Sequence, residues 1–170
     1  MFIDARSFTT GIPAQIDVCV IGAGVAGLVL ARGLQDSGLS VWLFESGGER
    51  PHRRAQALNA GRSNLTDYPF KTSRARAFGG TSTRWTGACV RLDHSDFDER
   101  PWLSHSGWPF GHAELEPYYG LTQDDFGISR VDRFEEELRG SPFNTGDLSA
   151  KAVAFGTPLN LGKRYREMIA

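Results

Sequence analysis

The chain has 170 residues, of which 40% are apolar and 23% are charged, and its formal net charge at pH 7 is −1. That length suits one domain with a core and is short for two, and the near-neutral charge gives no global attraction to nucleic acid or to an anionic membrane. Residues 1–15 do not follow the pattern of a secretory signal, and the longest apolar segment, residues 18–31, is too short and too glycine-rich to span a bilayer. We therefore expect a cytoplasmic protein with no membrane span and no nucleic-acid partner.

The charge is distributed unevenly along the chain. Residues 50–91 contain nine lysine and arginine residues against one acidic residue, whereas residues 93–137 contain twelve acidic residues against three arginines. A basic block of this kind can serve an anionic ligand, pair with the acidic block, or lie on a solvated face. The sequence leaves these alternatives open.

Residues 16–44 predict a βαβ unit. Residues 16–21 and 40–44 are short apolar runs that predict buried parallel strands, and residues 25–37 carry apolar side chains at helical spacing. Ser37 and Gly38 provide the end of the helix, since glycine readily takes the left-handed conformation. The crossover between the two strands is expected to be right-handed.

The pattern is weaker beyond the second strand. Residues 46–76 predict loops with one short helix near residues 55–58. A longer helix is predicted at residues 112–126, where Pro117 must lie in the first turn or kink the helix. Short helices are also predicted at residues 134–138 and 162–169.

The two cysteines have neither a disulfide framework nor metal-ligand spacing. Cys19 lies in the first apolar run, so we expect it to be a small buried side chain. Cys89 is expected to be structural rather than reactive. No metal site is predicted.

Residues 22–27, Gly-Ala-Gly-Val-Ala-Gly, form a G-x-G-x-x-G motif between the first predicted strand and the helix. Gly22 permits the tight turn, Gly24 lets backbone approach a pyrophosphate, and Gly27 lets the helix pack on the strand. The N–H groups at the start of the helix would face the pyrophosphate, and Glu45, at the end of the second strand, can accept both hydroxyls of an adenosine ribose. The alternative is an incidental glycine turn without a ligand, and the motif alone does not separate a nicotinamide from a flavin dinucleotide.

A second glycine-rich stretch, FGGTSTRWTGACVRL, occupies residues 78–92. Gly79 and Gly80 are flanked by hydroxyl side chains, and we expect their consecutive N–H groups to grip the same pyrophosphate from the other side. Arg76 can neutralise phosphate or cover the adenine end. Trp85 and the Thr-Gly pair after it offer the flat wall, the hydroxyl and the close approach that an isoalloxazine ring requires. An NAD-dependent dehydrogenase would leave this stretch unexplained.

With these motifs the sequence resembles the glucose–methanol–choline (GMC) family of FAD-dependent oxidoreductases. The resemblance rests on residues 17–48 and 76–92, with a weaker block at residues 106–119, and it covers residues 16–126. The string STRWT is closest to the pyranose oxidase-like branch, in which a histidine of STHWT can be bonded covalently to the flavin. Arg84 stands at that position here, which implies non-covalent FAD; this arginine would stabilise a negative flavin or face solvent.

The resemblance implies a fold, a domain division and a set of site residues. The fold would be α/β, with a Rossmann-like FAD-binding βαβ unit of a doubly wound sheet, incomplete in this chain, followed by an irregular loop-rich and helical segment. Residues 1–92 would form the N-terminal part of the FAD-binding domain, and residues 93–170 would lead to a substrate domain that the chain lacks. The implied cofactor-binding residues are Gly22, Gly24, Val25, Ala26, Gly27, Glu45, Ser46, Arg76, Gly79, Gly80, Thr81, Trp85 and Thr86.

The reaction implied by the resemblance is hydride transfer to flavin N5 from a CH–OH group of an alcohol or sugar, with a histidine as the base. None of the four histidines, His52, His94, His105 and His112, stands in a motif that matches that base, so no catalytic residue is predicted. The chain is expected to be the N-terminal piece of such an enzyme, with a possible missing C-terminal half. The alternatives are a catalytically inactive nucleotide-binding fragment and a fragment of an NAD-dependent dehydrogenase.

Overall fold

The structure, a computed structural model, describes residues 2–11, 15–62, 64, 68–128, 138–145, 148–155 and 160–169. Residues 168 and 169 are described by their backbone alone. The chain divides into two compact units: Met1–Trp85 with Leu159–Ala170 form the first, and Thr86–Pro158 form the second. The helix at the end of the chain therefore belongs to the first unit. The predicted functional division between residues 92 and 93 stays a prediction.

The first unit is built on the predicted βαβ arrangement. Strand β1, Val18–Ile21, pairs in parallel with β2, Val41–Phe44, and Val18 lies opposite Val41 at the start of the register. Helix α1, Val25–Gly33, connects the two strands. The predicted α/β class with a parallel Rossmann-like unit is confirmed.

Helix α1 is shorter than the predicted span of residues 25–37. It ends at Gly33 and continues into tight turns, in which the N–H of Ser37 donates to the carbonyl of Leu34 at 3.1 Å. A bond to the third preceding residue belongs to a 3₁₀-type turn rather than to an α-helix. The helix end predicted at Ser37 and Gly38 was therefore too late, although Gly38 does take the left-handed conformation expected of it, with a φ of +77°.

The buried core of the βαβ unit lies between the sheet and α1. Val20 and Leu28 are buried there, whereas Cys19 is exposed and Ile21 is 86% exposed. The expectation of a buried Cys19 was wrong. Successive strand side chains point to opposite faces, and within the described residues the α1 side is the covered one.

Two short helices carry the chain from β2 toward the second glycine pair. Helix α2, Arg53–Ala57, lies close to its predicted position, and α3, Phe70–Ser73, lies where a loop was predicted. Four residues are too few to show helical periodicity in the sequence. A 3₁₀-helix, Gly80–Thr83, follows the second glycine pair.

In the second unit, β3, Ala88–Cys89, pairs antiparallel with β4, Ala154–Phe155. Helix α4, His112–Phe126, has the predicted bounds and runs through Pro117, which occupies the sixth helical position and so lies beyond the first turn. The helix predicted at residues 134–138 falls, except for residue 138, outside the described residues. The described part of the chain contains no helix whose length and hydropathy would suit a bilayer.

The last helix, α5, spans Leu161–Ile169, one residue more than predicted at its start. The Asn160 side-chain oxygen caps it by accepting the N–H of the third helical residue at 3.0 Å. Leu161 and Tyr165 are fully buried, and the Arg32 guanidinium lies 5.8 Å from the centre of the Tyr165 ring. Helix α5 therefore packs against α1 within the first unit.

Candidate dinucleotide site

The first glycine turn joins β1 to α1 and uses its three glycines differently. Gly22 has a φ of +99°, and its N–H donates to the carbonyl of Phe44 at 2.7 Å. A Cβ atom on Gly27 would lie only 2.0 Å from the carbonyl oxygen of Gly22. A Cβ atom on Gly24 would meet none of the described heavy atoms within 4 Å. The predicted turn at Gly22 and the close packing at Gly27 are confirmed, and the surface beside Gly24 is open.

Helix α1 begins at this turn, and no side chain of the described residues caps it. The first N–H groups of any α-helix have no acceptor within the helix. In α1 these include the N–H groups of Val25 and Ala26, at the end where the aligned peptide dipoles are positive. Such an end is suited to a phosphate.

Glu45 directly follows β2, and two backbone N–H groups hold its carboxylate. Its Oε2 accepts the N–H of Ala23 at 2.9 Å, and its Oε1 accepts the N–H of Gly47 at 2.8 Å. These bonds orient the carboxylate beside the first glycine turn. The Ser46 hydroxyl also donates to Oε1, at 3.3 Å. A carboxylate has about four acceptor positions, so capacity for a ribose hydroxyl remains.

Arg76 and Ser46, which the sequence analysis singled out separately, meet in the structure. The Arg76 Nη1 donates to the Ser46 hydroxyl at 2.7 Å, and its Nε donates to the Asn59 side-chain oxygen at 3.1 Å. Both of these partners are neutral, so they orient the guanidinium without neutralising its charge.

Sequence reasoning missed the glycine pair that follows Glu45. A Cβ atom on Gly47 would lie 2.1 Å from the carbonyl oxygen of Arg76. Gly48 forms a parallel bridge with Ala77, and its carbonyl accepts the N–H of Phe78 at 3.0 Å. The segment that enters the second glycine turn therefore runs directly beside the residues after β2. The signal in the sequence was the string ESGGE.

Sequence reasoning also missed Gln56. From helix α2 its side-chain nitrogen donates to the carbonyls of Lys71 and Arg74, and its side-chain oxygen accepts the N–H of Arg76 at 3.1 Å. One amide side chain thus holds three points of the segment that ends at Arg76. A single glutamine in a short helix gives no sequence signal of this role.

The second glycine turn contacts the first. Gly79 and Gly80 have φ values of +92° and +55°, a region that favours glycine. The N–H of Gly79 donates to the carbonyl of Ala23 at 2.8 Å, and a Cβ atom on Gly80 would lie 2.9 Å from the Cα of Gly24. The structure therefore brings the two predicted glycine turns together.

The role that we predicted for the backbone N–H groups of the second turn was wrong. We expected the N–H groups of Gly79 and Gly80 to be exposed, but they donate to the carbonyls of Ala23 and Ala77, both at 2.8 Å. The hydroxyl of Ser82 donates to the Gly79 carbonyl at 2.6 Å. The glycines thus allow close contact between backbone segments, and they do not present their own amides.

The remaining predicted site residues lie after this turn. The Thr81 hydroxyl accepts a backbone N–H at 3.3 Å. Trp85, which is 37% exposed, ends the first unit, and Thr86 begins the second. Arg84 is exposed and donates to the carbonyl of Thr72 at 3.4 Å, as in the solvent-facing alternative.

The four histidines are divided between the two units. His52 caps α2, where its Nδ1 accepts an N–H at 3.3 Å, and the other three belong to the second unit. There the rings of His94 and His112 lie 4.1 Å apart, and His105 has a φ of +60°. We assign no catalytic residue, and the described residues contain no cluster of three or more metal-binding side chains.

The model of the FAD dependent oxidoreductase family (DAO) matches residues 17–156 of the chain. The chain belongs to this family. Both the predicted GMC-type resemblance and the prediction of FAD as the cofactor are confirmed.

The chain is similar to two curated proteins. It is 33% identical to paromamine 6'-oxidase of Streptomyces fradiae over 128 residues, which cover 66% of the chain and 23% of that protein. It is 27% identical to the fructose dehydrogenase large subunit of Gluconobacter japonicus over 154 residues, which cover 66% of the chain and 27% of that protein. The solved structure of pyridoxine 4-oxidase from Mesorbium loti aligns with 30% identity and a TM-score of 0.41, over 62% of the chain and 24% of the solved chain. The chain thus spans about a quarter of the length of these curated relatives.

Proposed function

We propose that the chain is the FAD-binding portion of an oxidoreductase that acts on CH–OH groups of small-molecule alcohols or sugars, and that it binds FAD non-covalently. The family match supports the cofactor. The names of the two curated relatives, an oxidase of paromamine and a dehydrogenase of fructose, support the substrate class. A cytoplasmic location belongs to the same proposal.

The observation that carries the proposal is the contact between the two glycine turns. Gly80 lies against Gly24 at the uncapped amino-terminal end of α1, where a Cβ atom on Gly24 would meet no described atom. A helix amino terminus with an open backbone approach fits a diphosphate. Arg76 supplies a positive charge in the segment that leads into the second turn.

Each predicted residue has a role in this proposal. The backbone at the start of α1 binds the diphosphate, and the second glycine turn borders the same site. Glu45 binds the adenosine ribose, while Arg76, oriented by Ser46, offsets phosphate charge. The proposed binding residues are Gly22, Gly24, Val25, Ala26, Gly27, Glu45, Ser46, Arg76, Gly79, Gly80, Thr81, Trp85 and Thr86.

Bound FAD would supply a hydride acceptor at flavin N5. The proposed part of this chain in that chemistry is to bind and orient the dinucleotide, with Trp85 and Thr86 along the flavin. Because Arg84 stands where the resemblance places a linking histidine, no imidazole is present there to form a covalent bond.

The absorption spectrum of the purified chain tests the proposal. We expect flavin bands in near-stoichiometric amount after reconstitution with FAD, and we expect all of the flavin in the supernatant after acid precipitation of the protein. A colourless protein that cannot be reconstituted would contradict FAD binding, and flavin retained in the precipitate would contradict the non-covalent mode. Tight binding of NAD without binding of FAD would favour the dehydrogenase alternative.

A further inference from the structure

Helix α5 contacts the second glycine turn through its own glycine. A Cβ atom on Gly162, the second residue of α5, would lie 2.7 Å from the carbonyl oxygen of Phe78 and 3.1 Å from the Cα of Gly79. The relation is reciprocal, since a Cβ atom on Gly79 would lie 2.8 Å from the Cα and the N of Gly162. Neither position has room for a side chain.

Several contacts fix α5 where it touches the turn. Leu161 and Tyr165, on either side of Gly162, are fully buried. Asn160 caps the first turn, and Arg166 forms an ion pair with Glu49 at 2.6 Å. These contacts hold α5 in place against the rest of the first unit.

We propose that Gly162 is a positioning residue for the dinucleotide site. Its missing side chain lets α5 rest on Phe78 and Gly79, and this contact holds Gly80 against Gly24 at the start of α1. The inference rests on the proposed FAD site and adds to it an element from the far end of the chain. Gly162 does not touch the dinucleotide; it acts through the Gly79–Gly80 backbone.

A purely structural role for Gly162 would have different consequences. Displacement of the second glycine turn should lower the affinity for ligands with a diphosphate more than for ligands with a monophosphate, because this turn is proposed to border the diphosphate-binding part of the site. A general loss of stability should instead lower the affinities for ADP and AMP in parallel. The ratio of the ADP affinity to the AMP affinity therefore distinguishes a positioning role of Gly162 from a purely structural one.

The experiment compares the wild-type 170-residue chain with Gly162→Ala. Gly33→Ala is the matched control, because Gly33 is also helical and a Cβ atom there would meet no described atom within 4 Å. FAD affinity is measured by flavin fluorescence, and ADP and AMP affinities are measured by competition. For Gly162→Ala we expect FAD binding about tenfold weaker, the equivalent of one hydrogen bond to a charged group, and a lower ratio of ADP to AMP affinity. Gly33→Ala should match the wild type.

Asn160→Ala provides a second test that adds no atoms. It removes the cap of α5 and should weaken FAD binding about threefold with the same lowering of the ADP to AMP ratio, so the inference can be judged even if Gly162→Ala does not fold. Wild-type affinities in both variants, or parallel losses of ADP and AMP, would overturn the inference while the proposed function stands. A wild-type chain that binds neither FAD nor ADP would overturn the proposed function and the inference together.

Discussion

Replacing Gly27 with alanine should separate α1 from the first glycine turn. The added Cβ would lie 2.0 Å from the carbonyl oxygen of Gly22, whereas carbon and oxygen atoms in contact normally stay about 3.3 Å apart. The start of α1 must therefore move by about 1.3 Å, which is the difference between those two distances. The first N–H groups of the helix would move with it.

The expected change in stability follows from two opposing terms. Overpacking typically costs 1–3 kcal/mol, and an overlap this deep with backbone belongs at about 3 kcal/mol. Alanine is better than glycine in a helix by about 1 kcal/mol, which leaves a net loss of about 2 kcal/mol. Gly33→Ala, in the same helix but with open space around its Cβ, should instead stabilise the chain by about 0.5–1 kcal/mol.

Urea denaturation followed by circular dichroism measures both free energies of unfolding, and flavin fluorescence measures FAD affinity. We expect the two variants to differ by about 3 kcal/mol and only Gly27→Ala to lose FAD affinity. Equal stability and equal FAD affinity for Gly27→Ala and Gly33→Ala would refute the close packing of α1 on the turn.

Three further predictions concern other parts of the chain. Gly47→Ala places a Cβ 2.1 Å from a backbone oxygen, so we expect a lower thermal midpoint and weaker FAD binding; an unchanged midpoint in a melting experiment would contradict this. Hydrogen bonds from Ser40 lower the pKa of Asp17, so they stabilise the fold above its ordinary pKa of 3.8 and are lost as the pH falls below it. Asp17→Ala should accordingly lower the thermal midpoint at pH 7, by an amount that shrinks below pH 3.8, and a constant difference would count against it. Burial raises the pKa of Cys89, whereas Cys19 is exposed, so iodoacetamide at pH 8 should modify Cys19 first, as peptide mass spectrometry would show; a faster Cys89 would be the opposite result.

The βαβ unit and the G-x-G-x-x-G turn could be predicted because their causes are local. The apolar runs, the glycine spacing and the residue that ends β2 all lie within residues 16–45. Contacts between distant segments leave no such pattern. The need for glycine at residue 47 arises from Arg76, and the need at residue 162 arises from Phe78 and Gly79.

The second glycine turn shows a different limit of sequence reasoning. Its composition correctly predicted a second glycine turn beside the first, but not the direction of its amides. The N–H groups of Gly79 and Gly80 bind protein carbonyls, and that choice depends on which backbone lies beside them. The prediction that Cys19 is buried was wrong for a similar reason, because an apolar run does not indicate which face of the strand is covered.

The central claim is that the two glycine turns border one and the same diphosphate-binding site. Titration of ¹⁵N-labelled chain with FAD, followed by amide chemical shifts, tests it most directly. We expect saturable shifts at Gly24, Val25 and Ala26 together with Gly80 and Thr81, at one common dissociation constant. Shifts confined to one turn, or two turns that titrate with different constants, would contradict a shared site.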